Sequence, residues 1–142
     1  MSQTELSEAQ RARIAKAMDM VPFARLLGLQ LETAVPGQAV MSLQIRDELR
    51  QNLGVVHGGV TASLIDSAAA LAIVPLLQDG ERATTVDLTI NYLRPLRSGK
   101  VTATARVLRA GKRIIAVSAD VEDEAGNLAA TGLTTYLRFS QK

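Results

Sequence analysis

The sequence predicts an α+β fold in which an antiparallel sheet wraps around one long central helix, and three observations predict it. The first is a nearly unbroken apolar run from Gly59 to Leu77, rich in Ala and Leu. The second is a change to period-two alternation after Pro75 that continues almost to the end of the chain. The third is the set of turn-like separators, Arg97-Ser98-Gly99-Lys100, Ala110-Gly111-Lys112 and Glu124-Ala125-Gly126-Asn127, between the alternating stretches. A helix apolar on most sides is buried nearly all round, and the strands are what can bury it.

Each element has its own signal. Ser7-Glu8-Ala9-Gln10 fits a capping box, so Ala9 to Met20 reads as a short amphipathic helix. Leu29 to Thr33 and Ala39 to Ile45 alternate apolar and polar around Pro36-Gly37-Gln38, the pattern of a hairpin. Gly59 to Leu77 is the one long helix. Four longer strands follow: Val86, Leu88, Ile90 and Tyr92 are expected to share one face, then Val101 to Val107, Ile115 to Val121, and Leu128 to Phe139. No repeat or low-complexity linker divides the chain. Residues 1–142 are expected to form one domain, with 1–22 as a helical extension, and 47% hydrophobic content is enough for a core without staples.

Composition removes several kinds of chemistry. With no cysteine, disulfides, thiol catalysis, iron–sulfur clusters and cysteine zinc sites are excluded, and a single histidine argues against His-rich metal sites. No metal and no cofactor are expected. Met1 to Met20 is polar and charged, unlike a signal peptide, and the long apolar run is interrupted by Asp66 and Pro75. A soluble cytoplasmic protein is therefore expected, with no membrane partner. The formal charge is +2, but it is unevenly placed: Leu88 to Ala119 holds seven basic residues and no acidic one. Such a local field suits a phosphorylated ligand, or it reflects solvated strand edges guarded by cations. Nucleic acid is not expected, since two Tyr, two Phe and no Trp leave few stacking platforms.

The most informative stretch is Gln51-Asn52-Leu53-Gly54-Val55-Val56-His57-Gly58-Gly59, which runs directly into the apolar helix carrying Asp66. Glycines at a helix start expose N–H groups to a ligand, so Gly58 and Gly59 are candidate oxyanion and substrate contacts; a sharp turn alone would also use them. A carboxylate inside an apolar helix is costly unless used, so Asp66 is a candidate base or nucleophile, against a structural role bonded to Ser63 or Ser67. Asp66 follows Gly58 by eight residues, a rise of about 12 Å, too far for both to address one carbonyl. A symmetric dimer with antiparallel central helices would pair Gly58 of one subunit with Asp66 of the other. His57 reads more readily as a turn-fixing residue than as a proton carrier. Gln51 and Asn52 are polar loop candidates, and Arg94, Lys112 and Arg113 are candidates for phosphate contacts at loop rims.

Gly54 to Gly59, Asp66 and the stretch Thr85-Val86-Asp87-Leu88-Thr89-Ile90-Asn91-Tyr92-Leu93-Arg94-Pro95 resemble the hotdog-fold acyl-CoA thioesterases. The similarity is to the PaaI-type branch and the related 4-hydroxybenzoyl-CoA thioesterases, and it covers roughly Phe23 to Phe139. The resemblance implies an oxyanion N–H at Gly58, a carboxylate nucleophile or base at Asp66, an orienting polar side chain at Gln51 and an assisting hydroxyl at Thr85. It assigns His57 no acid role. Gln51 stands where the PaaI-type pattern has Asn, whereas the pattern with Gln carries Glu at the position of Asp66, so the chain mixes the two. The resemblance also implies an acyl-CoA substrate, aryl or medium-chain, and a homo-oligomer with sites across a dimer interface, often a homotetramer. The alternative from another class is a non-catalytic acyl-CoA-binding regulator with the same fold; a hotdog dehydratase is disfavoured by the place of His57.

Overall fold

Ser7 opens the first helix as expected. In this computed structural model, which describes residues 5–141, Ser7 Oγ accepts from the Gln10 N–H and Gln10 Oε1 accepts from the Ser7 N–H, so α1 (Glu8–Asp19) begins with a capping box. Only Ile14 of this helix is buried. Polar contacts hold α1 against the end of the central helix: Gln10 Nε2 donates to Pro75 O, and the Arg13 guanidinium reaches Leu77 O and Asp79. A second helix, α2 (Pro22–Leu27), was not expected, because six residues are too few to show a period. Pro22 starts it, Gly28 ends it at φ +75°, and Arg46 donates to the carbonyls of Leu26 and Leu27.

Six strands follow the expected plan: β1 (Gln30–Val35), β2 (Gln38–Gln44), β3 (Glu81–Tyr92), β4 (Lys100–Ala110), β5 (Ile114–Glu122) and β6 (Leu128–Ser140). They form one antiparallel sheet in the order β1-β2-β4-β5-β6-β3. The central helix α3 (Gly58–Ile73) lies in its curl and tightens into a 3-10 turn over Val74–Leu76, where Pro75 lacks the N–H to continue an α-helix. Together these elements make the α+β hotdog arrangement, a sheet rolled around one helix.

Small side chains set how closely the sheet can roll. On α3, Leu64, Ile65, Ala68, Ala69 and Ala72 have no exposed surface, and Ala39, Met41, Ala103, Ala105, Val117 and Val121 face them from the strands, equally buried. Gly132 of β6 lets Ile65 approach: a Cβ there would come within 3.4 Å of Ile65 Cδ1 and 3.2 Å of Thr89 O. By length and composition alone, Gly58–Leu76 could cross a membrane. Here its apolar faces are met by β2, β4 and β5, the packing of a core helix.

One expectation about faces fails in an instructive way. Strict alternation puts Val86 beside Leu88, Ile90 and Tyr92, but β3 has a bulge between Thr85 and Asp87 that leaves Val86 unpaired and 55% exposed. Thr85 then pairs with buried Tyr136 and faces the helix, whereas Asp87 pairs with Thr135 on the opposite face. β3 is also an edge: it pairs with β6 on one side only.

Candidate active site

The loop before α3 is folded on itself. Arg50 bridges to Val56, the Gln51 N–H donates to Val55 O at 2.8 Å, and Gly54 takes a φ of +81° at the turn. His57 is the N-cap of α3, and its Nδ1 accepts the Gly59 N–H at 2.9 Å. This corrects the expectation for Gly59: its N–H is taken by His57 and is not free for a substrate. It also gives His57 a positional task, since the ring nitrogen nearest the helix is occupied. Gln51 turns its Oε1 back onto the Leu53 N–H, leaving its Nε2 as the group able to face a ligand. Asn52 sits exposed on the loop.

Gly58 is different from Gly59. Among the described residues its N–H has no acceptor, and it stands at the positive end of a 16-residue helix. Tyr92, at the end of β3, lies across it. The Tyr92 hydroxyl donates to Gly58 O at 2.7 Å, and a Cβ on residue 58 would lie 3.2 Å from the Tyr92 Cζ and hydroxyl. A side chain at residue 58 would crowd a neighbour 34 residues away, and the Tyr92 ring would have to shift by a few tenths of an ångström to admit it. The sequence reading left Tyr92 without a role, seeing only its place in the strand. Gly58, Tyr92, Arg94, Val55 and Leu96 border a cleft of about 510 Å³.

Two turns along α3 lies the carboxylate. Asp66 Oδ1 accepts from Thr85 Oγ1 at 2.8 Å and from the Tyr136 hydroxyl at 2.7 Å, and Tyr136 also lies 2.8 Å from Asp66 O. Ser63 bonds Gly59 O, so the serine-bonded alternative for Asp66 through Ser63 is not the arrangement found. Thr85 was expected near the carboxylate; Tyr136 was not. Its signal was present, however: alternation along β6 puts Tyr136 on the helix side with Ala130, Gly132 and Thr134, and a buried phenol needs an acceptor. Burial pushes the Tyr136 phenol far up, and the Asp66 charge raises it further.

The basic candidates do not share one place. Arg94 borders the Gly58 cleft, its N–H bonded to Ala129 O at the start of β6. Lys112 and Arg113 lie at the β4–β5 turn, where Arg113 O accepts from the Arg138 N–H near the end of β6. Arg138 lies nine residue steps along the strand from Ala129, about 30 Å. Within one chain, therefore, Arg94 cannot act on the same phosphate group as Lys112 and Arg113. Among the described residues no three His, Asp or Glu side chains come together as a metal site.

The stretch from residue 53 to residue 130, which contains the second half of the loop, the helix and the whole of β3, matches the family model described as the thioesterase superfamily. The chain belongs to the thioesterase superfamily. Human acyl-coenzyme A thioesterase 13 is 31% identical over 135 residues, covering 93% of this chain and 96% of that protein. The medium/long-chain acyl-CoA thioesterase YigI of Salmonella typhimurium is 33% identical over 132 residues, 82% of this chain and 85% of its own length. The fold is also that of the Escherichia coli PaaI protein from the phenylacetic acid degradation operon, with a TM-score of 0.89 at 24% identity over 97% of this chain and 99% of that one. As a member of this superfamily the chain is a thioester hydrolase.

Proposed function

We propose that this thioesterase hydrolyses an acyl-CoA, aryl or medium-chain, as a dimer with two sites across its interface. The Gly58 N–H of one subunit polarises the thioester carbonyl. Asp66 of the other takes the proton from water or attacks the carbonyl carbon itself. In the water route the Asp66 carboxylate removes one proton, the hydroxide adds to the carbonyl, and the tetrahedral oxyanion rests on Gly58. Collapse then expels the CoA thiolate, which recovers a proton, leaving free acid and CoA. The reaction asks for no resident metal or redox cofactor, and a cytoplasmic setting fits its substrate.

The observation that carries this reading is the division of labour along α3. The donor without an acceptor, Gly58 N–H, and the carboxylate with one oxygen unpartnered are about 12 Å apart on one helix. The open edge of β3 supports the dimer. A twelve-residue edge strand with exposed Val86 and Tyr92 is a template for pairing. An antiparallel pairing centred near Leu88–Thr89 would set Thr85 of each copy opposite Tyr92 of the other, and so Asp66 beside the partner copy's Gly58. Arg94 at the cleft rim is the candidate for a CoA phosphate. The names of the relatives agree with acyl-CoA as substrate.

The test is release of free thiol from a panel of aryl- and fatty-acyl-CoAs, comparing wild type with Asp66→Asn. Turnover with kcat/KM near ~10⁴ M⁻¹s⁻¹ or above, abolished by the substitution, is the expected outcome. Saturable acyl-CoA binding without turnover of any member would replace the enzyme by a ligand-binding regulator.

A further inference from the structure

We infer that Tyr136 is a positioning residue that anchors one oxygen of Asp66 and so selects the other, Oδ2, as the oxygen that reacts. This rests on the reading of Asp66 as the base or nucleophile. The anchored oxygen, Oδ1, receives two hydroxyl donors from two strands, Thr85 on β3 and Tyr136 on β6, which pair directly with each other. Oδ2 receives none among the described residues. The carboxylate is thereby held through Oδ1, and Oδ2 carries the free lone pairs.

The two donors are not equivalent. Thr85 lies on an exposed edge strand beside a bulge, but Tyr136 is 3% exposed and spans Asp66 from side chain to backbone, 2.7 Å to Oδ1 and 2.8 Å to O. Its phenol stays protonated, since burial and the neighbouring carboxylate both disfavour the phenolate. It is therefore a permanent donor, and its single proton goes to the charged acceptor, Oδ1, in preference to the Asp66 carbonyl oxygen. A hydrogen bond to a carboxylate favours the charged form and sharpens its direction. In the nucleophilic route the same contact serves a second purpose: Oδ2 adds to the thioester carbonyl, the C–S bond breaks and CoA leaves as thiolate, and in the resulting anhydride Oδ1 is a carbonyl oxygen held by two donors, polarised for attack by water.

Few other charges act at this point. α3 carries no other ionisable side chain, β5 contributes the uncharged Ile115, and Asp87 of β3 lies on the far face of the sheet. On β6, Arg138 lies two residues beyond Tyr136, with Nε 4.0 Å from Glu81 Oε2 of β3.

The experiment is a cycle of wild type, Tyr136→Phe, Asp66→Asn and the double variant, with kcat, KM and the pH dependence of kcat/KM measured on one acyl-CoA. Tyr136→Phe should lower kcat roughly tenfold or more, leave KM within about threefold, and move the acid limb of the profile upward. The upward direction follows because losing a donor to the carboxylate favours its protonated form. In the Asp66→Asn background the same substitution should change the residual rate less than about twofold. An unmoved profile, or equal rate losses in both backgrounds, would overturn the inference and leave Tyr136 a packing residue.

Should Tyr136→Phe not fold, the chain's two tyrosines allow another route. In a Tyr92→Phe background, 3-fluorotyrosine labels Tyr136 alone, and its stronger donor should move the acid limb downward relative to ordinary tyrosine. No movement there also overturns the inference. Wild-type turnover by Asp66→Asn is a separate failure, that of the proposed function, whatever Tyr136 does.

Discussion

The two ends of the proposed site on α3 are built in opposite ways. At Gly58 the chemistry comes from backbone, and the residues that shape it are mostly neighbours in sequence: the 50–57 loop, the His57 cap and the glycine pair. At Asp66 the chemistry comes from a side chain, and its partners arrive from 19 and 70 residues away on two different strands. A backbone donor needs only a helix start and an absent Cβ. A carboxylate in an apolar helix needs donors brought from elsewhere, or it is left stranded. The first is written as a motif, and the second exists only when the sheet has closed.

This contrast can be broken first at Asp66. Asp66→Asn keeps an oxygen for Thr85 and Tyr136 but loses the carboxylate, so kcat should fall by roughly 10²–10⁴-fold with little change in fold, read by thiol release and circular dichroism. Retained turnover would mean that the cluster is structural and that the helix start acts alone.

Gly58→Ala tests the other end. The new Cβ must displace the Tyr92 ring, disturbing the hydroxyl bond to Gly58 O, and turnover should drop about a hundredfold, as when an oxyanion donor is misplaced. Removing the obstacle in Gly58→Ala/Tyr92→Ala should return part of that loss. Ordinary turnover by Gly58→Ala would sink the oxyanion role of this position.

Thr85→Val removes one of the two donors to Oδ1 while keeping the shape of the strand. It should lower kcat about tenfold or less and, like Tyr136→Phe, move the acid limb of kcat/KM upward. A larger effect from Thr85 than from Tyr136 would reverse the ranking of the two anchors.

His57→Ala should act on stability more than on rate. Losing the cap on Gly59 N–H costs about 1 kcal/mol, a fall of about 3 °C in Tm, with most turnover retained. Loss of turnover with unchanged Tm would instead make His57 a proton carrier.

The smallest effect lies outside both ends and serves as a control. Lys100 and, after it, Ser42 hold the Glu32 carboxyl below its ordinary value of 4.5. A depressed carboxyl contributes stability above its unfolded value, and that contribution is lost as pH falls through the folded one. Glu32→Gln should therefore flatten the acid side of a urea-midpoint curve slightly without touching the pH profile of turnover.

The legibility of the molecule follows the same division. The capping box at Ser7, the hairpin, the central helix and the four later strands were all readable, because period and turn chemistry are local. α2 was not, being too short to show a period. Val86 was placed on the wrong face because a bulge changes the phase of a strand without leaving a mark in its composition. Gly59 and Gly58 looked alike in the sequence; only the direction of the His57 ring separates an occupied N–H from an unoccupied one. Arg94, Lys112 and Arg113 looked like one basic group because they are near in sequence, and the strands between them carry their charges to opposite ends of the sheet.

By itself, then, the sequence determined the elements, the buried helix with its lone carboxylate, and the loop-to-helix turn that offers a backbone donor. Those depend on hydrophobic period, capping and glycine, which act within a few residues. Only the tertiary structure decided which side chains surround the carboxylate, which glycine remains free, and what a Cβ at residue 58 would meet. Those are contacts between distant strands and one helix, fixed by register, a single bulge and the curl of the sheet, and no local pattern records them.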